Sequence, residues 1–296
     1  MPKKKMTLAR KNAFYGRMFV LPFVIGFLFL FIVPFIQSFI FSFEDVKIDQ
    51  GLKGTFTGLK NYKEAFTIDP NFVREFVNGI QNMLYQVPLI MVYSIFCALL
   101  IKEKFFGRTA VRAVFFLPVI IASGVLMQIL KEDVFSRGAV NGQTVYLFFG
   151  GGLEGMFAQL GIPEAITAYF NQVIARVFDL TWKSGVQILL FVSGLYSISP
   201  QLYEAAKIEG ATGWQSLWKV TIPMLSPVIL LNLIYSIIDN FTDYTNAIIR
   251  MINSVAMKEM RYGYSSALSW IYFLAVLAMI GIVMLLLRKK VFYAAE

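Results

Sequence analysis

The chain has 296 residues, of which 57% are hydrophobic and 15% charged, and its formal net charge is +9. Soluble domains carry roughly 25% charged residues, so this composition indicates an integral membrane protein. The chain contains no histidine and one cysteine, Cys97, which excludes His-based general-base chemistry, His-ligated metals and intrachain disulfides. The positive charges lie at the ends of apolar runs and form no single basic face, which argues against nucleic acid as a partner.

Six apolar runs each approach the roughly 20 residues that a helix needs to cross a bilayer core. Lipid offers the backbone no hydrogen-bond partners, so these runs are predicted to be helices. The predicted spans are residues 18–43, 83–101, 111–130, 173–198, 223–244 and 264–287. The first run is too long for a signal-peptide core and is expected to remain as an uncleaved span. The sequence therefore predicts an all-α integral membrane protein with about six transmembrane helices.

The distribution of charge predicts the orientation of these spans. Lysine and arginine concentrate before residue 18, at 102–112, within 203–227 and after residue 287, whereas acidic residues dominate 44–82 and 131–171. The positive-inside rule then places both termini in the cytoplasm. The predicted layout is a cytoplasmic segment 1–17, a transmembrane domain 18–290 and a cytoplasmic tail 291–296. The domain carries outer insertions at 44–82 and 131–171 and a cytoplasmic loop at 199–222.

Residues 203–227, YEAAKIEGATGWQSLWKVTIPMLSP, form a polar, helix-prone segment between two predicted spans, here called the elbow. Residues 204–209 are mostly strong helix formers, and Gly210 is a residue that ends helices where a positive φ is useful. A helical pattern resumes at Trp214, and Pro223 and Pro227 suit the first turns of the next span. The sequence predicts a short helix, a break and a second helix that enters the membrane.

A second polar region follows in the fifth predicted span. Asn232, Tyr235, Asp239 and Asp243 are spaced by three or four residues and so share one helical face. Such groups bind a polyhydroxylated ligand through hydrogen bonds and ring stacking, or they join helices by hydrogen bonds. Both interpretations stay open for Asp239 and Asn240, and interhelical bonding is favoured for Asp243 and Tyr244. Gln187 in the fourth span is open to the same two interpretations.

Motifs for nucleotide chemistry are missing or weak. The sequence has no G-x-x-x-x-G-K-[ST], H-E-x-x-H or G-x-S-x-G motif, so the chain is predicted not to be an enzyme and not to hydrolyse ATP itself. The run GGGLEG at 150–155 matches G-x-G-x-x-G, but no βαβ pattern surrounds it, and a flexible turn or re-entrant bend is predicted instead. Asp179, Asp239 and Asp243 leave open an alternative function, an ion-coupled secondary transporter.

The elbow resembles the EAA loop of permease subunits of ATP-binding-cassette (ABC) importers of the carbohydrate type, the maltose and multiple-sugar class. The matching residues are Glu204-Ala205-Ala206, Gly210 and the run VTIP at 220–223, with Glu209 where the family usually has Asp. Supporting motifs are GLKNYKEAF at 58–66, FFGRTAVRAVFFLP at 105–118, WKSGVQILLFVSGLYSISPQLYEAA at 182–206 and RYGYSSALSW at 261–270. The T-x-GGP turn that the family often has after the fifth span does not occur between residues 244 and 257.

The resemblance implies the type I importer permease fold, with a coupling helix that docks on a separate cytoplasmic ATPase through Glu204, Ala205, Ala206, Glu209 and Gly210. It implies a second homologous permease subunit, an ATPase dimer that uses ATP and Mg, and an extracytoplasmic sugar-binding protein. No cofactor is expected on this chain, whose expected location is the bacterial cytoplasmic membrane. The expected substrate-pathway residues are Gln187, Tyr235, Asp239, Asn240, Asp243 and Tyr244. Arg250 and Arg261 hint at an acidic sugar.

Overall fold

Helices account for nearly all regular structure in the computed structural model, which describes residues 8–47, 53–102, 164–243 and 246–289. The chain divides into two compact units, one of Met1–Gln81 with Thr242–Met279 and one of Asn82–Phe241 with Ile280–Glu296. These are called unit 1 and unit 2.

The first predicted span is one helical stretch with a local change of winding. The stretch consists of α1 (Leu8–Phe27), a π turn (Leu28–Ile32) and α2 (Val33–Phe41). The Val33 N–H bonds to the Leu28 carbonyl five residues earlier, directly before Pro34, which has no N–H to offer. The helix begins ten residues before the predicted start of the span. Phe35 and Phe39 pack against Trp270, with ring centres 4.9 and 4.8 Å away.

The segment after α2 contains the two strands of the described residues, which the sequence did not predict. Strands β1 (Glu44–Lys47) and β2 (Lys53–Phe56) pair antiparallel, with Glu44 opposite Phe56. Gly58 then has φ of 61°, and the motif GLKNYKEAF continues as the short helix α3 (Lys60–Thr67). The Asn61 side-chain amide donates to the carbonyls of Ser42 (3.1 Å) and Glu44 (3.0 Å), which fixes α3 to the end of α2.

The remaining helices carry four of the other five predicted spans. They are α4 (Pro70–Lys102), α5 (Glu164–Lys183), α6 (Gly185–Ser197), α7 (Pro200–Ile208), α8 (Gly213–Ser216), a second π turn (Leu217–Thr221), α9 (Ile222–Thr242), α10 (Ala247–Met257) and α11 (Tyr262–Leu287). The predicted span 111–130 and the GGGLEG run lie outside the described residues. Cys97 packs with Ile101 and Ile188 in a buried cluster of unit 2, as expected for a thiol in an apolar run.

The predicted helical fold is confirmed, but the predicted count of six spans is not. Among the described residues, four stretches are long and apolar enough to cross a membrane: Lys11–Phe41, Pro70–Lys102, Gly213–Met257 and Tyr262–Leu287. The pair Gly185–Ser197 and Pro200–Ile208, bent by 65°, adds a fifth if it is counted as one span.

The predicted span 173–198 is interrupted at Ser184. Its hydroxyl donates to the Thr181 carbonyl at 3.3 Å, a bond that competes with regular helix geometry. The backbone hydrogen bonds continue on both sides, from Ser184 to Leu180 and from Ile188 to Ser184, so the interruption is confined to one residue.

Candidate functional site: the elbow and the polar face of α9

Gly210 ends α7 through a complete Schellman motif. The Gly210 N–H donates to the Lys207 carbonyl at 3.1 Å, and the Ala211 N–H donates to the Ala206 carbonyl at 2.9 Å. Gly210 has φ of 78°, a region that favours glycine, and a Cβ at this position would meet no described atom within 4 Å. The glycine is therefore required by the backbone conformation, while the space around it is open.

The residues predicted to couple to an ATPase are accessible on α7 and its end. Glu204, Ala205, Glu209 and Gly210 are exposed, and Ala206 is half-buried. The helix begins at Pro200, before the first residue of the elbow, with the proline in the first turn where its missing N–H costs little. The elbow thus presents two carboxylates and a backbone turn to its surroundings.

Large apolar side chains accompany these carboxylates. Ile208 is 87% exposed, Trp214 69% and Trp218 54%, and the two indole rings meet edge to face with centres 5.7 Å apart. The helix that carries the tryptophans starts with a capping box, in which the Thr212 hydroxyl accepts from the Gln215 N–H and the Gln215 side chain accepts from the Thr212 N–H. An exposed apolar surface next to a capped helix start is typical of a contact site.

Side-chain contacts that the sequence did not predict tie α7 to the end of α4 and to the second π turn. The Lys102 ammonium donates to the Tyr203 hydroxyl at 3.0 Å, and that hydroxyl lies 3.1 Å from the Thr221 hydroxyl. Lys102 is the last residue of α4, and Thr221 ends the second π turn. These three residues are 18 to 119 positions apart, so no local pattern indicated that they would meet.

The predicted substrate-pathway residues fall into two groups. Gln187 is fully buried, and its amide donates to the Ser236 hydroxyl at 3.2 Å, while the Asn232 amide donates to the Gln187 backbone carbonyl at 3.1 Å. Asn240 donates to the Gln86 side-chain oxygen at 2.7 Å. In this structure Gln187 and Asn240 therefore join helices within unit 2.

The other predicted pathway residues are less enclosed. Tyr235, Asp239 and Asp243 are half-buried, and Tyr244 lies outside the described residues. Among the described side chains, three buried oxygens have no hydrogen-bond partner, those of Ser94 (Oγ), Gln187 (Oε1) and Asn232 (Oδ1). Buried polar atoms without a partner are costly, and two of these three lie beside the half-buried face of α9.

A second polar site lies in unit 1, at the turn between α3 and α4, residues 64–72, here called the braced turn. Asp69 caps α4 by accepting from the N–H groups of Asn71 (3.0 Å) and Phe72 (3.1 Å), and the Tyr264 hydroxyl donates to the same carboxylate at 2.9 Å. Arg261 forms an ion pair with Glu64 and lies 4.3 Å from the centre of the Tyr264 ring.

The braced turn borders an open cavity of about 460 Å³. Arg74, Arg250 and Arg261 line it, but so do Asp69, Glu75 and Glu259. The cavity therefore has no excess of positive charge and gives no support to the hint of an acidic sugar. In the described part of the chain, no group of three or more acidic, histidine or cysteine side chains is placed to hold a metal ion.

Part of the chain matches a known protein family, and most of its length is similar to curated proteins. Residues 180–289 match the family of binding-protein-dependent transport system inner membrane components. The chain is 29% identical to the probable ABC transporter permease protein YesP of Bacillus subtilis, over 98% of this chain and 94% of that protein. It is 28% identical to the multiple sugar-binding transport system permease protein MsmF of Streptococcus mutans, over 79% of this chain and 82% of that protein.

Solved structures share the fold. A chain of a bacterial ABC transporter that imports the acidic polysaccharide alginate superimposes with a TM-score of 0.69 at 18% identity, over 94% of this chain and 96% of that chain. The alginate transporter in complex with an alginate pentasaccharide-bound periplasmic protein gives 0.68 at 17% identity, with the same coverage. The family match and the curated relatives favour an ABC importer over the alternative of an ion-coupled secondary transporter. The matched residues 180–289 and the curated relatives support a multi-pass, non-catalytic permease subunit of a binding-protein-dependent ABC importer, as the elbow and its flanking motifs predicted.

Proposed function

We propose that this chain carries a sugar or oligosaccharide across the bacterial cytoplasmic membrane, from an extracytoplasmic binding protein into the cytoplasm. The names of several relatives support a sugar, among them the lactose permease LacF of Rhizobium radiobacter and the starch degradation product permease AmyD of Thermoanaerobacterium thermosulfurigenes. The observation that carries the proposal is the elbow, whose helix α7 is exposed or half-buried along its whole length.

The elbow is the proposed docking site for a separate ATPase dimer, which would use ATP and Mg. Glu204 and Glu209 supply carboxylates for ion pairs or hydrogen bonds, Ala205 and Ala206 allow close approach of the partner, and Gly210 fixes the exit angle of the chain. The exposed Ile208 adds apolar area. ATP-driven closure of the ATPases would then shift the spans as rigid bodies between outward and inward access. This arrangement requires the elbow and both termini to lie in the cytoplasm, as the positive-inside rule predicts.

The proposed substrate pathway runs along the half-buried face of α9, between this chain and a second homologous permease subunit. Tyr235 offers a ring for stacking on a sugar, and Asp239, Asn240, Asp243 and Tyr244 offer hydrogen-bonding groups. Gln187 contributes a buried amide from α6, beside Asn232 and Ser236 of α9. The side-chain oxygens of Gln187 and Asn232, which have no hydrogen-bond partner, support a polar route there.

The docking proposal is tested with the assembled importer, the permease pair with its ATPase and binding protein in nanodiscs. Glu204→Lys and Gly210→Trp are expected to abolish co-purification of the ATPase or its stimulation by the binding protein. Glu259→Lys is the matched control, because Glu259 is an exposed carboxylate of unit 1 outside the elbow. Unchanged ATPase recovery and stimulation in both elbow variants would overturn the docking site.

The transport proposal is tested by uptake of labelled maltose, lactose and longer glucans into cells that contain the complete system. Uptake is expected to stop when ATP is depleted and to persist when ion gradients are dissipated. Asp239→Ala is expected to lower uptake while the amount of protein in the membrane stays normal. Uptake that follows the ion gradients would contradict the proposal, and equal loss of uptake and protein would assign Asp239 a structural role only.

A further inference from the structure

We infer that Tyr203 is a positioning residue that links α7 to the ends of α4 and α9 through a directed chain of hydrogen bonds. The inference rests on the proposed role of the elbow as the ATPase docking site. It goes beyond that role because it names the contact by which a displacement of α7 would reach two membrane-spanning helices. Tyr203 does not touch substrate or nucleotide in this scheme; it acts through Lys102 and Thr221.

The contacts of Tyr203 use both its hydroxyl and its ring. The Lys102 ammonium lies 3.0 Å from the hydroxyl oxygen and 4.1 Å from the centre of the ring, so the same cation makes a hydrogen bond and a cation–π contact. Hydrogen bonds from a charged donor are stronger than those between neutral groups. The end of α4 is therefore held to the middle of α7 by a charge-assisted contact.

The direction of the hydrogen bonds follows from counting hydrogens. Each hydroxyl has one hydrogen to donate. The Thr221 hydroxyl donates to the Ser216 carbonyl at 3.3 Å, so its oxygen must accept from Tyr203 at 3.1 Å. The Tyr203 oxygen in turn accepts from Lys102. These three hydrogen bonds therefore run in one direction, from the Lys102 ammonium to the Ser216 carbonyl. They use the hydroxyl hydrogens of Tyr203 and Thr221.

The chain of bonds ends on the second π turn. There the Ile222 N–H bonds to the Leu217 carbonyl five residues earlier, and the Thr221 side chain reaches the carbonyl of Ser216, also five residues earlier. Thr221 is 4% exposed, whereas Tyr203 and Lys102 are half-buried. Water therefore competes little at Thr221, and a displacement of Tyr203 pulls directly on the turn that begins α9.

The test measures whether α7 and α9 move together. Spin labels are placed at Gln201→Cys on α7 and Leu231→Cys on α9, two exposed positions, and the distance between them is measured in the assembled importer in nanodiscs, with and without ATP, Mg and vanadate. With Tyr203 intact, the two labels are expected to move together and the distance distribution to stay narrow. In Tyr203→Phe, the fraction of molecules that keep the wild-type distance between the two labels in the vanadate-trapped state is expected to fall about fivefold or more.

Tyr85→Phe is the matched control, because this tyrosine lies on α4 with 63% exposure and its hydroxyl is not part of the chain of bonds. Thr221→Val is expected to reproduce the effect of Tyr203→Phe, and the double variant is expected to add nothing further. Equal label-to-label distance distributions in the wild-type and Tyr203→Phe proteins, with the ATPase bound to both, would overturn the role of Tyr203 and leave the docking site standing. Failure of the wild-type chain to retain the ATPase would instead overturn the proposed function.

Discussion

The braced turn and the elbow use the same capping chemistry in different surroundings. At the braced turn Asp69 caps α4, and side chains from α11 and the residue before it, Tyr264 and Arg261, bond to the turn. At the elbow Thr212 caps α8, but Thr212, Gln215 and Gly210 are all exposed. The first turn is held by neighbours within the chain, whereas the second keeps its shape through local backbone geometry. A turn that is shaped locally and left open is available to a partner outside the chain.

The largest effect is expected at the braced turn. Asp69→Ala removes two hydrogen bonds at the helix start and leaves the Tyr264 hydroxyl without its acceptor, so the free energy of unfolding should fall by about 2 to 3 kcal/mol. Thermal unfolding of the purified chain in nanodiscs measures the change. Asp69→Asn keeps the cap and should retain most of the stability; a similar loss in both variants would show that capping is not the cause.

Gly210→Ala tests the claim that the elbow is shaped by its backbone. An alanine at φ of 78° should cost about 1 to 2 kcal/mol through strain, although the space is open. Gly213→Ala is the control, since a Cβ there also meets no described atom within 4 Å and its φ is not positive. Differential scanning fluorimetry should separate the two variants. Equal melting temperatures for Gly210→Ala and Gly213→Ala would show that the positive φ at Gly210 costs an alanine nothing.

The cap of α8 should contribute less than that of α4. Thr212→Ala deletes one acceptor at an exposed helix start, so a loss of about 1 kcal/mol is expected. Hydrogen exchange of the amide of Gln215, measured by mass spectrometry of the elbow peptide, should accelerate. Thr212→Ser keeps the hydroxyl and should exchange like the wild type. Protection that is unchanged in Thr212→Ala would mean that contacts outside the capping box hold this helix.

The smallest effect is expected from the ion pair at the braced turn. The Arg261 side chain is 42% exposed, so Arg261→Gln should lower stability by only about 0.2 to 1 kcal/mol, and by less at high salt. Melting temperatures at low and high NaCl measure this difference. Arg261→Lys keeps the charge and should show the wild-type salt dependence. A loss of stability as large as that of Asp69→Ala would show that the ion pair, and not the helix cap, is the main stabilising contact of the braced turn.

The sequence predicted those parts of the fold that depend on local signals. Gly210 ends α7 because a Schellman turn needs a positive φ, a requirement that one residue reveals. The hairpin of β1 and β2 depends on pairing between segments, and no local pattern indicated it. Helix α10 was missed although Ile248, Ile252 and Val255 have helical spacing and are buried, and Asn246 caps the helix by accepting from the Ile248 N–H.

The candidate site was predicted in part for the same reason. Spacing on α9 correctly placed Asn232, Tyr235 and Asp239 on one face, since helical geometry alone determines this. Spacing does not determine which neighbour covers that face, so the burial of Asn232 and the half-burial of Asp239 became known only from the packing. Tyr203 was part of the elbow motif, but its bonds to Lys102 and Thr221 depend on the tertiary structure.

The second π turn also sets the helical phase of everything that follows it. A π turn holds one residue more than an α-helical turn of the same rise, and one residue corresponds to about 100° of rotation around the axis. The direction in which Asn232, Ser236 and Asn240 face, seen from the elbow, therefore depends on Leu217–Thr221. Winding these five residues as a regular α-helix would rotate the polar face of α9 by about a quarter of a turn, whereas deleting one residue from the turn would restore α-helical geometry and leave that face in nearly the same direction. The angular register between the elbow and the polar face is thus encoded in five residues.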